Sequence, residues 1–342
     1  MRNETRLVFN ALQTRIAQIN QVGAADVKFS VSPTVQQTLE NKLQLSSSFL
    51  SRINIVPVTE QSGEKLQLGT TGTIASRTNT TATDRSPADP TDLYDNTYTC
   101  RQTNFDTALK YSKLDMWAKF PDFQNRFRDV TIKQQALDRI MIGFNGTSAA
   151  ATTDRVAHPL LQDVNIGWLQ NIRTKAPAHW MKEVVPASGK VNIGEGWDYE
   201  NIDALVMDIT ENLIDEAARD NPGLVVICGR SILADKYFSK VNRKQGAADE
   251  LASDIIVSQK QIGGLEAVRV PFFPANALLV TTLDNLSIYY QEGKRRQQLI
   301  DNPKRDQVEN YESSNDDYVV EDYGIVAFVE NIVIKTTAAP AP

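Results

Sequence analysis

Apolar positions along the chain follow helical spacing in some stretches and strict alternation in others. Phe9, Leu12, Ile16 and Ile19 recur at three, four and three residues, with Arg6, Gln13, Arg15 and Gln18 elsewhere on the wheel. This predicts an amphipathic helix over 4–20. Ser32-Pro33 marks a boundary, followed by a short helix over 34–44 and a strand over 52–58. Leu66 and Leu68 alternate with Lys65 and Gln67 in a short strand. Further on, Phe105, Thr107, Leu109 and Tyr111 alternate with small or polar residues, whereas Tyr98 and Cys100 keep the opposite parity. That switch predicts a bulge near Thr103 and Asn104. The longest helix is predicted within 113–146. Pro121 and Asp122 suit its first turn, and Phe123, Phe127, Val130, Leu137, Ile140, Met141 and Phe144 line one face. Asp129, Lys133 and Arg139 are expected to fall away from that face, and Gly143, Asn145 and Gly146 supply the stop. The rod over 121–143 is roughly 33–35 Å long.

Residues 149–188 read as loop, with one short helix in GWLQNIRTKAPAHW. From 198 to 300, helices in NIDALVMDITENLIDEAAR and RSILADKYFSKV are interspersed with strands in LVVICG, LEAVRVPFF, ALLVTTL and LSIYYQ. This order predicts a compact α/β or α+β domain. Residues 317–335 give two strands joined near Tyr323 and Gly324, expected to pack beneath the long helix, and TTAAPAP at 336–342 is a flexible end.

Between the strands flanking it lies GTTGTIASRTNTTATDRSPADP, residues 69–90, whose one large apolar residue is Ile74. Such a stretch buries too little surface to offset the entropy of ordering it. It reads as the tip of a two-stranded ribbon. A ribbon of that kind is marginal alone, so the tip is expected to rest on another molecule.

The totals narrow the chemistry. The chain has 342 residues, 41% hydrophobic and 23% charged, with a formal net charge of −6. Basic residues are spread along it, which argues against a surface built to grip nucleic acid. No apolar run approaches the ~20 residues of a membrane span, and the N-terminus lacks a secretory pattern. The only histidines are His158 and His179, too few for a His-based triad or zinc site, and Cys100 and Cys228 are expected to be reduced and buried. Phosphate loops and nucleophile elbows are absent, and no cofactor is expected. Asp316, Asp317, Glu321 and Asp322 form an acidic cluster, read as a solvated hairpin edge or as intersubunit ion pairs. A carboxylate-dependent hydrolase built on them is the alternative. Lys294, Arg295 and Arg296 lack interleaved aromatics and are flanked by Glu292 and Asp301, so they are assigned to salt bridges at an interface, with a nucleic-acid contact as the alternative.

Several blocks resemble one family in collinear order: RINIVPV (52–58), GEKLQLGTTGTIAS (63–76), LDRIMIGFNG (137–146), LLQDVNIGWLQ (160–170), IDALVMD (202–208), LADKYF (233–238), IIVSQKQIGGLEAVRVPFFP (255–274), LDNLSIYY (283–290) and VENYESSNDDYVVEDY (308–323). They are similar to the major capsid proteins of peduovirus-like temperate tailed phages. The resemblance implies an α+β fold of the Hong Kong 97 type. Its parts would be a scaffold-like segment at 1–30, an N-terminal arm at 31–59 and an extended loop at 60–105. A peripheral domain at 106–197 and 301–335 would carry the spine helix 121–143, and an axial domain would span 198–300. It also implies trimming by a phage maturation protease near Phe29 and Ser30. The loop tip, with Arg77, Thr78, Asn79, Asp84 and Arg85, would lie across a neighbouring subunit. Phe9, Leu12, Ile16 and Ile19 would form a docking stripe used during assembly. The implied partners are copies of the chain as pentamers and hexamers, a scaffold, the protease, a portal at one vertex and enclosed double-stranded DNA. No membrane is involved, and the implied location is the virion shell, assembled in the bacterial host cytoplasm. A tail or decoration protein with strand-rich arms is a further alternative.

Overall fold

In the computed structural model, residues 1–70, 75, 77–81, 84, 85, 91–117, 123–229, 232 and 261–335 are described. The chain opens with α1 (Asn3–Asn20), a short strand β1 (Phe29–Ser30) and α2 (Pro33–Leu45), whose first position is proline, where a missing N–H costs no hydrogen bond. Next come β2 (Asn54–Val58), β3 (Ser62–Thr70), β4 (Thr91–Thr99), β5 (Arg101–Asn104), β6 (Thr107–Lys110), α3 (Tyr111–Trp117) and the long α4 (Phe123–Asn145). These are followed by α5 (Trp168–Lys175), β7 (Trp180–Met181), β8 (Val191–Ile193), α6 (Ile202–Leu213), β9 (Leu224–Cys228), β10 (Gln261–Ile262), β11 (Leu265–Arg269) and β12 (Leu278–Thr282). Last are β13 (Leu286–Gln291), β14 (Arg296–Asn302), β15 (Gln307–Val320), β16 (Ala327–Val329) and β17 (Ile332–Ile334). The predicted helix RSILADKYFSKV, apart from the helical Ile232, lies outside the described residues, as do Pro121, Asp122 and 336–342.

Strand β15 organises the first sheet. Asp316 pairs with both Tyr290 and Arg101, and Val308 with both Asp301 and Leu109. Strands β13 and β14 therefore follow one another along one side of β15, with β5 and β6 along the other. Strand β2 then adds in parallel to β13, and β1 antiparallel to β14. A second sheet runs β10-β11-β9-β12-β16-β7 among the described residues. Its central strands β9 and β12 are buried along their whole length. Val225, Ile227 and Leu279 face Trp168 and Phe273, while Val226, Leu278 and Val280 face α6. Cover on both faces explains why these segments read as unbroken apolar runs.

Sheet membership cuts across the boundary drawn at residue 300. LSIYYQ, as β13, belongs to the first sheet, and the late strand β16 completes the second. The expected bulge near Thr103 and Asn104 is also absent. Asn104 pairs with Ser313 and Thr107 with Asn310, so the register is unchanged across the gap between β5 and β6. The parity switch occurs at Cys100–Arg101, where the chain leaves its ribbon partner β3 and joins β15.

The two sheets share one core around α4 and α5, which holds Ile288 and Tyr318 of the first and Ile227 and Leu279 of the second. Phe49, Phe144, Trp168, Phe273 and Tyr318 form a cluster with ring centroids 5.1 to 6.1 Å apart. Such tilted and edge-on pairs add to what burial alone contributes. Gly143 makes the crossing possible, because a Cβ there would run into the Trp168 ring.

Candidate assembly site

The ribbon of β3 and β4 is paired in register from Ser62↔Thr99 to Thr70↔Thr91 and forms a sheet of its own. Polar clamps hold its base to the body. The Lys65 ammonium donates to the Glu321 carbonyl at 2.9 Å and to the Glu321 carboxylate, which also accepts from Ser287 and, at 3.2 Å, from the Tyr289 hydroxyl. Burial holds the Lys65 ammonium below its usual pKa, opposed by the charge of Asp322. The Thr99 amide donates to Asp317 at 2.8 Å, Lys175 donates to the Thr97 carbonyl at 3.1 Å, and the Tyr98 and Tyr289 rings lie 5.2 Å apart. Beyond these clamps, Arg77, Thr78, Asn79, Asp84 and Arg85 are all exposed. Thr81 donates its amide to the Asn79 side chain at 3.2 Å, a local turn that needs no support from the body.

Beneath the ribbon's base lies a buried charge network that joins the arm helix, the long helix and the central strand. Arg139 is fully buried and reaches Asp316 through two hydrogen bonds of 3.1 and 3.2 Å, and Glu40 of α2 through two more, one of them at 3.2 Å. Arg295 bridges Glu40 and Glu312, at 2.8 Å each, and donates to Gln135 at 2.9 Å. Gln135 in turn donates to Glu312 at 2.9 Å, and Ser314 to Asp316 at 3.0 Å. Burial works to raise Glu40's pKa, but Arg139 and Arg295 outweigh it and hold it below the usual carboxylate value. Burial pushes Asp316 up, Glu40's charge adds to this, and Arg139 opposes both. With Glu312, three carboxylates face two guanidiniums, so one negative charge in excess sits in the interior if all are ionised.

These contacts and exposures correct four expectations. Arg139 does not fall away from the core but is buried within it, while Val130, expected on the apolar face, is 68% exposed. The buried face of α4 runs through Ile132, Gln135, Ala136, Arg139 and Ile140, so it carries two polar positions one turn apart. Asp316 and Asp317 are buried rather than forming a solvated edge, and Arg295 is spent inside its own chain rather than at an interface. No group of three or more His, Cys, Asp or Glu among the described residues could hold a metal ion. The network escaped the sequence reading although a signal existed. Gln135 and Arg139 share one helix face, and Glu312, Ser314 and Asp316 alternate onto one strand face.

At the N-terminus the expected docking stripe is largely used within the chain. Phe9 is buried against Leu114, Leu299 and Val308, with Leu12 and Ile16 packed beside it, whereas Ile19 remains 50% exposed. Phe29 and Ser30 form β1, paired with Gln297 and Arg296 on the edge of the first sheet. Neither Cys100 nor Cys228 forms a disulfide, and both are buried. Burial, together with the charges of Asp317 and Asp316, pushes the Cys100 thiol up to about 12.

A ribbon that forms its own sheet on a clamped base, and a body tied together by buried ion pairs, describe a subunit with one extended part beyond its core. Residues 8–332 match the family of phage major capsid proteins, P2 family. The capsid protein of Escherichia phage P2 is 52% identical over 349 aligned residues, covering 100% of this chain and 98% of that protein. The major capsid protein of Serratia phage KSP20 is 43% identical, covering 97% of each. A solved chain of the satellite phage P4 procapsid including the size determination (Sid) protein superimposes with a TM-score of 0.80 at 50% identity, over 98% of this chain and 99% of that one. The capsid of an empty GTA particle shares the fold at 16% identity, with a TM-score of 0.53 over 84% of this chain and 90% of that one. The fold is accordingly the Hong Kong 97-type capsid fold. Its acidic cluster is structural, and nothing supports the hydrolase alternative. By family model, sequence identity and fold, the chain belongs to the P2 family of phage major capsid proteins, the structural subunits of a tailed phage's virion shell.

Proposed function

We propose that copies of the chain assemble as pentamers and hexamers, in the bacterial host cytoplasm, into an icosahedral head that encloses double-stranded DNA. In this reading the tip carrying Arg77, Thr78, Asn79, Asp84 and Arg85 lies across a neighbouring subunit. Residues 1–30 serve as a scaffold-like segment, removed by a maturation protease near Phe29 and Ser30. An external scaffold and a portal at one vertex complete the set of partners. The observation that carries it is the ribbon: β3 and β4 form a sheet of their own, clamped at the base, with every described tip residue exposed.

Assembly through many modest contacts suits a closed shell, because misplaced subunits can leave before closure. The net charge of −6 also gives packaged DNA little to bind. Sedimentation and electron microscopy of the purified chain, with and without residues 1–30, test the reading. Rings or closed particles support it, and a small oligomer of fixed size contradicts it. Mass spectrometry of mature particles should find a chain beginning near residue 30. Full-length chain in infectious particles would remove the trimming step.

A further inference from the structure

We propose that α1 is a latch over the trimming bond: while it stays seated, Phe29–Ser30 is closed to any protease, and its release sets the rate of cutting. The proposal rests on the reading that the chain is trimmed near this bond. Residues 25–31 lie against the outer edge of β14. The Leu299 amide donates to the Ala25 carbonyl at 2.9 Å, Gln298 donates its side-chain amide to the Asp26 carbonyl at 2.8 Å, and the Val31 amide donates to the Arg295 carbonyl at 2.8 Å. Ser30 donates its hydroxyl to the Gly293 carbonyl at 2.5 Å. The side chains are held too, with Ala25 at 2%, Phe29 at 9% and Val31 at 2% exposure, packed with Val22, Val35 and Leu39.

A protease grips its substrate as an extended strand, through the same backbone groups and side chains that are occupied here. The bond must leave the sheet before it can be cut. Helix α1 opposes this, because it is seated on the same strand. Its Phe9 packs on Leu299, Gln13 donates to the Leu299 carbonyl at 3.0 Å, and Arg6 pairs with Asp301 at 3.1 Å. The Arg2 amide donates to Asp115 at 2.9 Å. Residues 1–24 and the scissile bond thus share one platform, and Ile16 packs in both apolar clusters that hold them. Where opening and closing are faster than cleavage, the rate of cutting follows the population of the open form. Loosening α1 then raises that rate in proportion.

The test needs no phage enzyme. Chymotrypsin cuts after phenylalanine, so limited digestion of the full chain, read by mass spectrometry, reports the Phe29–Ser30 bond directly. The wild-type chain should be cut there far more slowly than a free peptide spanning residues 24–36. Phe9→Ala combined with Leu12→Ala should speed that cut about tenfold, while the bonds after the core residues Phe144 and Phe328 stay intact. Cuts at those two bonds would mean that the double variant has lost its fold. Arg6→Glu, which sets a like charge against Asp301 and leaves the apolar seat of α1 in place, then decides by the same readout. Wild-type cutting at the peptide's rate, or no acceleration in the folded variants, overturns the latch. The mass of the particle-borne chain separately decides whether trimming occurs at all.

Discussion

Replacing Arg139 by methionine probes the interior most sharply. Methionine keeps much of the volume but removes the four hydrogen bonds to Asp316 and Glu40. Glu40 keeps Arg295 as a partner at 2.8 Å, whereas Asp316 keeps only Ser314 and the backbone around it. Asp316 must then remain ionised in the core or take up a proton. At pH 7 the proton costs about 1.36 × (7 − 3.9), or ~4 kcal/mol, which caps the electrostatic part of the loss. This agrees with the ~3–5 kcal/mol typical of a broken buried pair. A carboxyl whose folded pKa lies above its unfolded value destabilises the fold at pH above that unfolded value, and the cost fades as pH falls toward it. The variant's deficit should therefore shrink between pH 7 and pH 5, by at most about 2.7 kcal/mol, because Asp316 is already raised to a lesser degree in the intact network. In the wild-type chain Glu40 is held down by Arg139 and Arg295, so the stability it contributes there is lost only at lower pH, and in the variant it keeps Arg295 alone. Urea unfolding of unassembled subunits, followed by emission of the fully buried Trp168, measures the difference at both pH values. A loss below ~1 kcal/mol at pH 7, or an equal loss at pH 5, would refute the account of the network.

Replacing residues 77–85 by a short Gly-Ser turn should leave the subunit's unfolding midpoint unchanged while particle yield in sedimentation collapses; a subunit that unfolds early would mean the tip packs on its own chain. Gly143→Ala should cost about 3 kcal/mol in urea unfolding, because its methyl group meets the Trp168 ring at the crossing of α4 and α5. Cys100, with its thiol pushed up to about 12, should resist alkylation at pH 8 in the folded chain and react promptly in denaturant. Lys65→Met should change subunit stability by no more than ~1 kcal/mol, since Ser287 and Tyr289 still satisfy Glu321, but should lower particle yield by freeing the ribbon's base.

Local periodicity made most elements legible. The first helix was expected over 4–20 and is α1 at Asn3–Asn20, and the arm helix was expected over 34–44 and is α2 at Pro33–Leu45. The ribbon was readable because Leu66 and Leu68 alternate before a stretch with almost nothing to bury. Partner choice between strands was not legible, because it depends on contacts far apart in sequence. LSIYYQ and ALLVTTL look alike as apolar runs, yet one pairs with β15 and the other with β9 and β16. Charged residues misled for a related reason. Arg139, Arg295 and Asp316 each read as surface groups singly, and only the fold brings Arg139 to Asp316 and both arginines to Glu40. Phe9 likewise reads as a free docking residue until Leu299 and Val308, some 290 positions away, are seen beneath it.

We propose that the ribbon leaves its own subunit to hold its neighbour in a closed shell. A cryo-electron microscopy map of particles formed by the chain, at a resolution that traces the backbone, tests it most directly. The expected map shows pentamers and hexamers in which Arg77–Arg85 lies against an adjacent subunit while Lys65 stays paired with Glu321 at the base. A shell in which the tip folds back onto its own subunit, or a purified chain that forms no shell at all, would contradict it.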